Sequence, residues 1–426
     1  MPWRPTSIRR CFRLRAAEGR RGQALVIALL VMLMALPAGV LLYQFVSRTL
    51  RSAVHERKQM TAAQAANSAV MDYMRQFSQD AYSGHYDSAS LSRPDSVFAR
   101  AGSSVTFIAD EVNRTVYLRS TGFYGDAASP ETTRTLEALI QFQSDLTQYG
   151  TMVNGPFTIS ASNVGYDGGL WFNGNLTVTG ANVNFRGGPM VVNGNVTAPA
   201  SAVLDGDLYY SGASAGSLTV LGTKYNFVPS TTWPTLNFSY YDAHYTYKTT
   251  TSKTIVFNST GTFTVVGGAT LAIPPSGALI YAENCNLTLR GAVSGRVTAV
   301  AGGAVGSGAQ GNITVSNDIY YAGASSITAS ALYSFAALAR NGITFSKAAG
   351  NLVAVGVYFV EQGTSNMTLT GAAGARFWLY GVRTQGITIS PASSFNGGRA
   401  LVYDPSLRSF PPPSLPEKAL LVNWKL

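Results

Sequence analysis

Little on this chain is equipped for chemistry. Beyond residue 149 there are nine acids, and the one close pair is Asp205 and Asp207, in Leu204-Asp205-Gly206-Asp207-Leu208. Two carboxylates facing a groove would serve glycoside cleavage as acid and base. Gly206 between them argues for a turn instead, where Asp and Gly sit for backbone reasons. The histidines, His55, His85 and His244, have no Cys or His partner at metal-ligand spacing. Cys285, in YAENCNLTL, reads as a small buried hydrophobe, and with Cys11 near the N-terminus it makes no disulfide framework. No catalytic, cofactor-binding or metal residue is assigned, and the chain reads as non-enzymatic. The residues best suited to recognition are aromatic: Trp233, Phe238, Tyr240, Tyr241, Tyr245 and Tyr247, within WPTLNFSYYDAHYTY. Such rings stack on sugars and anchor protein interfaces, so a surface glycan or a protein is the expected ligand. The more ordinary reading of the same stretch is a loop that packs its rings on the body of the fold.

What positions these residues begins with a membrane-length segment. Gln23 to Ser47 carries no charged residue, and about 20 apolar helical residues cross a bilayer. The run is longer than the ~7–15-residue core of a cleaved signal peptide, and no small-x-small site follows it. Seven arginines and one acid precede it. Basic flanks stay cytoplasmic, which predicts a cytoplasmic N-terminus and a single-pass inner-membrane protein with a periplasmic ectodomain. Pro37 predicts a kink or local melt at Leu33–Gly39. The helical pattern continues: Ala62, Ala66, Ala69, Val70, Tyr73, Met74 and Phe77 fall at three- and four-residue steps. Ala24 to Gln79 can thus be one helix, about 84 Å long.

The expected organisation is a basic leader (1–22), a transmembrane helix (23–47), an amphipathic continuation (48–80), a small α+β module (81–149) and a β-domain (150–426). Strands are expected at 104–109, 114–120 and 132–143. The β-domain holds 14 basic and 9 acidic side chains in 277 residues, about 8% charged, against roughly 25% in ordinary soluble domains. The net charge of +10 is no nucleic-acid footprint, because its densest cluster is the leader. Asn173-Gly174-Asn175 recurs as Asn193-Gly194-Asn195 and as Asp205-Gly206-Asp207. Related spellings are Gly311-Asn312-Ile313, Asn341-Gly342-Ile343 and Gln385-Gly386-Ile387. These turns, each followed by an alternating apolar strand, predict coils that bury their faces only by stacking. The fold class is mainly β with an N-terminal transmembrane α-helix: a right-handed parallel β-helix, with an antiparallel sandwich as the alternative.

Arg20-Arg21-Gly22-Gln23-Ala24-Leu25-Val26, followed by a polar helix with Glu56-Arg57 and Ala62–Ala69, resembles the start of PilX-type minor pilins of type IV pili. The resemblance implies a leader ending at Gly22 that a prepilin peptidase cuts before Gln23. The chain departs from the pattern at Gln23, where Phe is usual, and at Ile27, where most pilins carry Glu. Further on, Val315–Tyr321, Ala336–Ile343 and Val402–Leu407 resemble the β-solenoid ectodomains attached to such anchors. The resemblance implies a membrane-anchored minor pilin-like subunit. Its partners would be other pilin-like subunits and the pilus assembly machinery. Two other readings remain: an anchored carbohydrate-active β-helix enzyme (lyase or hydrolase), and a bactofilin-like envelope polymer.

Overall fold

The computed structural model describes residues 21–80, 101–110, 114–213, 215–229, 233–303, 310–323, 332–362 and 367–425. The leader before residue 21, His85, and most of the 110–113 turn lie outside them. The chain is mainly β with one long N-terminal helix. Helix α1 spans Arg21–Asp80. It stays helical through Pro37, so the expected melt at Leu33–Gly39 does not occur. Proline deletes one donor, and the neighbouring backbone bonds carry the helix past it.

Two compact units divide the chain. The first is Met1–Ala66 with Ser96–Ser103 and Thr121–Arg134, and the second is Asn67–Asp95, Ser104–Ser120 and Thr135–Leu426. Three strands follow the helix: β1 (Ala101–Asp110), β2 (Thr115–Gly125) and β3 (Pro130–Gln143). They match the three expected strands to within about five residues at each end. In the first unit Ala62 and Ala66 are buried and Gly122 of β2 lies on them. A Cβ at Gly122 would overlap the Ala62 carbonyl and stand 2.7 Å from the Ala66 nitrogen. Lys58 pairs with Glu131, and Arg134 donates to the Gln59 side chain.

In the second unit, β3 pairs antiparallel with the C-terminal strand Lys418–Lys425, from Glu137↔Lys425 to Gln143↔Lys418. The order of this sheet is β1-β2-β3 and then that last strand. The chain's final residues therefore join the small sheet, and the coils lie between β3 and its partner rather than running to the end. Sequence could not show this, because antiparallel pairing leaves no mark on residues so far apart.

The coils form two stacks, both built by parallel pairing. In the first, Gly169–Phe172, Met190–Val192, Leu208–Tyr210 and Lys224–Tyr225 follow one another on one face. Phe157–Ile159, Leu176–Val178 and Val196–Thr197 make a second face. Gly165–Asp167, Asn184–Arg186, Val203–Leu204 and Thr219–Val220 make a third. The Asn-Gly-Asn repeats stack as ladders: Asn173 donates to Asn154 (2.7 Å), Asn193 to Asn173 (2.9 Å) and Ser211 to Asn193 (2.9 Å). The glycines between them do a different job from the one expected. Gly174 and Gly194 are not among the positive-φ residues. A Cβ on Gly174 would instead meet the Gly155–Pro156 backbone of the previous coil at 2.6 Å. They are glycine because successive turns touch.

In the second stack Ala278–Glu283, Arg296–Gly302, Ser334–Ala339 and the end of Leu352–Val360 follow in parallel register. The Ile-bearing repeats stack as well, with Ile313↔Ile343 and Met367↔Ile387 in register. Long strands turn a corner from one face to the next at Gly356 and Gly381. These two pair with each other and hold φ of 106° and 147°, where a side chain is strained. These parallel pairings exclude the sandwich alternative. Among the described coil residues, antiparallel strands form only a local meander, Lys253–Asn258, Thr262–Val265 and Thr270–Ala272.

The second stack ends on the beginning of the first. Arg383 and Thr384 pair in parallel with Thr151 and Met152, so the main face is one ladder through both stacks. That face is apolar on both sides, as Ser334–Ala339, buried throughout, shows. Its inner side belongs to the two coil cores. Its outer side is covered by Leu236 and Tyr241 from the 226–246 connection, and by Leu407 and Leu415 from the C-terminal segment. Pro411–Pro413 lies in that segment: Arg296 donates to the Pro411 carbonyl at 2.8 Å, and Thr298 donates to that of Pro413. The polyproline run is thus a buried cover on the sheet.

Candidate binding cleft and interaction surfaces

Aromatic residues at 233–247 meet the fold in different ways. Tyr241 is fully buried. Trp233 stacks on Trp171 of the first stack (5.7 Å) and lies against Phe359 of the second (5.4 Å). Its indole donates to the Glu361 carbonyl at 2.9 Å, while the Glu361 carboxylate accepts from the Leu236 nitrogen at 2.7 Å. Burial holds the Glu361 carboxyl above the ordinary carboxylate range. Phe238, Tyr240 and Tyr247 are half-buried, and of the six only Tyr245 is exposed. The short helix α2 (Phe238–His244) carries three of these rings, capped by the Asn237 side chain. The packing makes Trp233 a clasp across the two stacks. Trp233→Ala is expected to lower stability by about 2–3 kcal/mol, read as a shift in the denaturant midpoint with unchanged slope.

Four of the acids that an enzyme reading could draw on are engaged in structure. Asp207 accepts from the Thr223 nitrogen and Asp318 from Lys347 and the Val353 nitrogen. Asp242 pairs with Lys248, and Asp404 caps Ser406. Among the described residues no three His, Cys, Asp or Glu side chains gather to hold a metal. His244 bonds the Tyr240 carbonyl and stacks on that ring. Cys285 sits in the second core with its thiol pushed up by burial. Gly212-Ala213-Ser214-Ala215-Gly216 spells G-x-S-x-G, a pattern that marks a nucleophile only where a strand turns into a helix. Here a strand, Thr219–Val220, comes next.

The backbones of the two stacks pair on the main face, at Arg383–Thr384 with Thr151–Met152 and from the Gln385 nitrogen to the Met152 carbonyl at 2.6 Å. On the other faces a cleft of about 670 Å³ opens between Pro156–Tyr166 and Phe377–Leu401. Phe157, Tyr166 and Ile387 give it apolar walls, and Asn163, Asn396 and Arg399 give it polar ones. Arg383 also lines it, 3% exposed. The guanidinium lies over the Tyr166 ring at 5.8 Å and donates to the Gln385 carbonyl at 3.2 Å. Its Nε is buried with no partner. Desolvation pulls its pKa down, and what opposes that is the Tyr166 side chain, which is hydrogen-bonded to it, rather than a carboxylate. Sequence reasoning missed this site: Arg383 and Tyr166 are far apart in the chain, and neither belongs to a motif.

No protein-family model and no curated protein matches the chain. Among solved structures, the crystal structure of the competence-associated pilin ComZ from Thermus thermophilus is similar at 10% identity and a TM-score of 0.36, over 87% of this chain and 97% of that one. A score that low carries no argument about function, which has to rest on this chain's own residues.

Proposed function

We propose that the chain is a membrane-anchored, non-enzymatic, pilin-like subunit whose α1 enters a bilayer or the helical core of a filament. The carrying observation is the surface of that helix: every large apolar side chain from Leu25 to Val46 is at least 45% exposed. Among the described residues one helix is long and apolar enough to cross a membrane, with a mean hydropathy of 2.8 over its best window. A soluble chain does not leave such a surface in water. The Gly22–Gln23 junction at its start, and a strand pressed onto the helix through Gly122, support the pilin-like form of the reading. So does a sheet whose last strand closes after the coils, which makes them an insertion into a small helix-plus-sheet head. A head this bulky suits a minor subunit, with its N-terminus cytoplasmic and its coils periplasmic or displayed on a filament. The exposed side of the aromatic segment, at Tyr245, is where a partner would first touch the coils.

The test is fractionation of cells making the full chain and a variant lacking residues 24–43. The full chain is expected in the membrane pellet through a carbonate wash, and the deletion is expected to lose that entirely. The full chain in the soluble fraction would refute the anchor. Mass analysis with and without prepilin peptidase then decides the pilin-like part. A peptidase-dependent terminus at Gln23 supports it, and an intact leader in both strains removes it.

A further inference from the structure

We propose that the cleft between the two coil stacks is a binding site for a small ligand carrying an oxyanion, a carboxylate or a phosphate, held by Arg383 and Arg399. A guanidinium buried without an opposing charge is costly to a fold, and an orphaned buried donor calls for an explanation. The cleft supplies one, since Arg383 lines the space a ligand would occupy. Its planar fork matches two oxygens of a carboxylate or phosphate. Part of that fork is already engaged by the Gln385 carbonyl and the Tyr166 side chain, and its Nε has no partner in the protein. Arg399 is exposed at the rim, held by a 3.0 Å bond to the Ser394 carbonyl, and adds a second positive charge. No acid lines the cleft among the described residues. Its volume lies within the usual range of small-molecule sites, roughly 300–1,000 Å³. Tyr166 and Phe157 offer apolar contact for the body of the ligand, while Asn163 and Asn396 offer amides for its hydroxyls. Such a site is independent of the anchor and of the pilin-like reading.

The test is titration of the full chain in detergent with D-glucuronate, glucose 6-phosphate and glucose, read by calorimetry and thermal shift. The expected result is binding of one or both anions and none of glucose. Which anion binds identifies the oxyanion. Arg383→Gln is expected to weaken that anion by about tenfold or more, the worth of a hydrogen bond to a charged group. The apo melting temperature should hold or rise, because an uncompensated buried charge is gone. Arg399→Gln should weaken it by about threefold in an unaltered fold, which keeps a readout if the first variant misfolds. Equal binding of glucose, no binding of either anion, or unchanged affinity in the folded variants would overturn the proposal.

Discussion

Replacing Glu417 by Ala is expected to destabilise the second unit by about 3–5 kcal/mol, the usual cost of stranding one member of a buried ion pair. Glu417 and Arg114 pair with side-chain exposures of 0% and 10%. Arg114 leads into β2 in a left-handed backbone conformation and also donates to the Arg408 carbonyl at 2.7 Å. The pair therefore ties the start of β2 to the segment that leads into the last strand. With Glu417 removed, the guanidinium stays buried beside a carbonyl that cannot neutralise it. The first element to loosen should be Lys418–Lys425, whose amides bond to β3. Hydrogen exchange of the full chain should show those amides and their β3 partners losing protection before the coils do. The double variant Arg114→Met with Glu417→Leu separates causes, because apolar replacement of both partners recovers much of the loss. If Glu417→Ala changes the unfolding midpoint by less than about 1 kcal/mol equivalent, the pair is solvated and does not hold the closure.

That pair also shows where sequence reading stops. Helix α1 was legible because its signal is local: a run without charge, then apolar residues at helical steps. The coils were legible because Asn173-Gly174-Asn175 and Asn193-Gly194-Asn195 repeat at the period at which they stack. The same locality hid the rest. Arg114 and Glu417 lie 303 residues apart, and nothing near either one announces the other. The second stack ends on the first coil of the first, so spatial order differs from chain order. The cleft exists only because of that join, and only the fold brings Arg383 to Tyr166. The aromatic stretch was visible, but its spacing did not say which rings turn inward. Trp233 and Tyr241 do so because the outer side of the ladder is apolar and has to be covered.

Gly122→Ala is expected to cost about 3 kcal/mol or more within the first unit, the upper end for overpacking. The added Cβ would meet main chain: the Ala62 carbonyl, and the Ala66 nitrogen at 2.7 Å. A side chain in the way can change rotamer, but a helix backbone can yield only by moving the whole helix off the strand. The bonds of Lys58 to Glu131 and Arg134 to Gln59 tie the same helix turn to residues 121–134. They are exposed and worth little each, so they cannot hold the contact once the glycine is lost. Hydrogen exchange should report lost protection at residues 58–66 of α1, with the coil amides unchanged. A companion variant gives the expectation its sharpest form. Adding Ala62→Gly removes a side chain at that point but leaves the carbonyl, and glycine itself costs a helix about 1 kcal/mol. The double variant should therefore be no more stable than Gly122→Ala alone. Recovery of the wild-type midpoint would mean that side chains, not backbones, meet at this crossing, and that the helix and strand lie further apart than Gly122 implies.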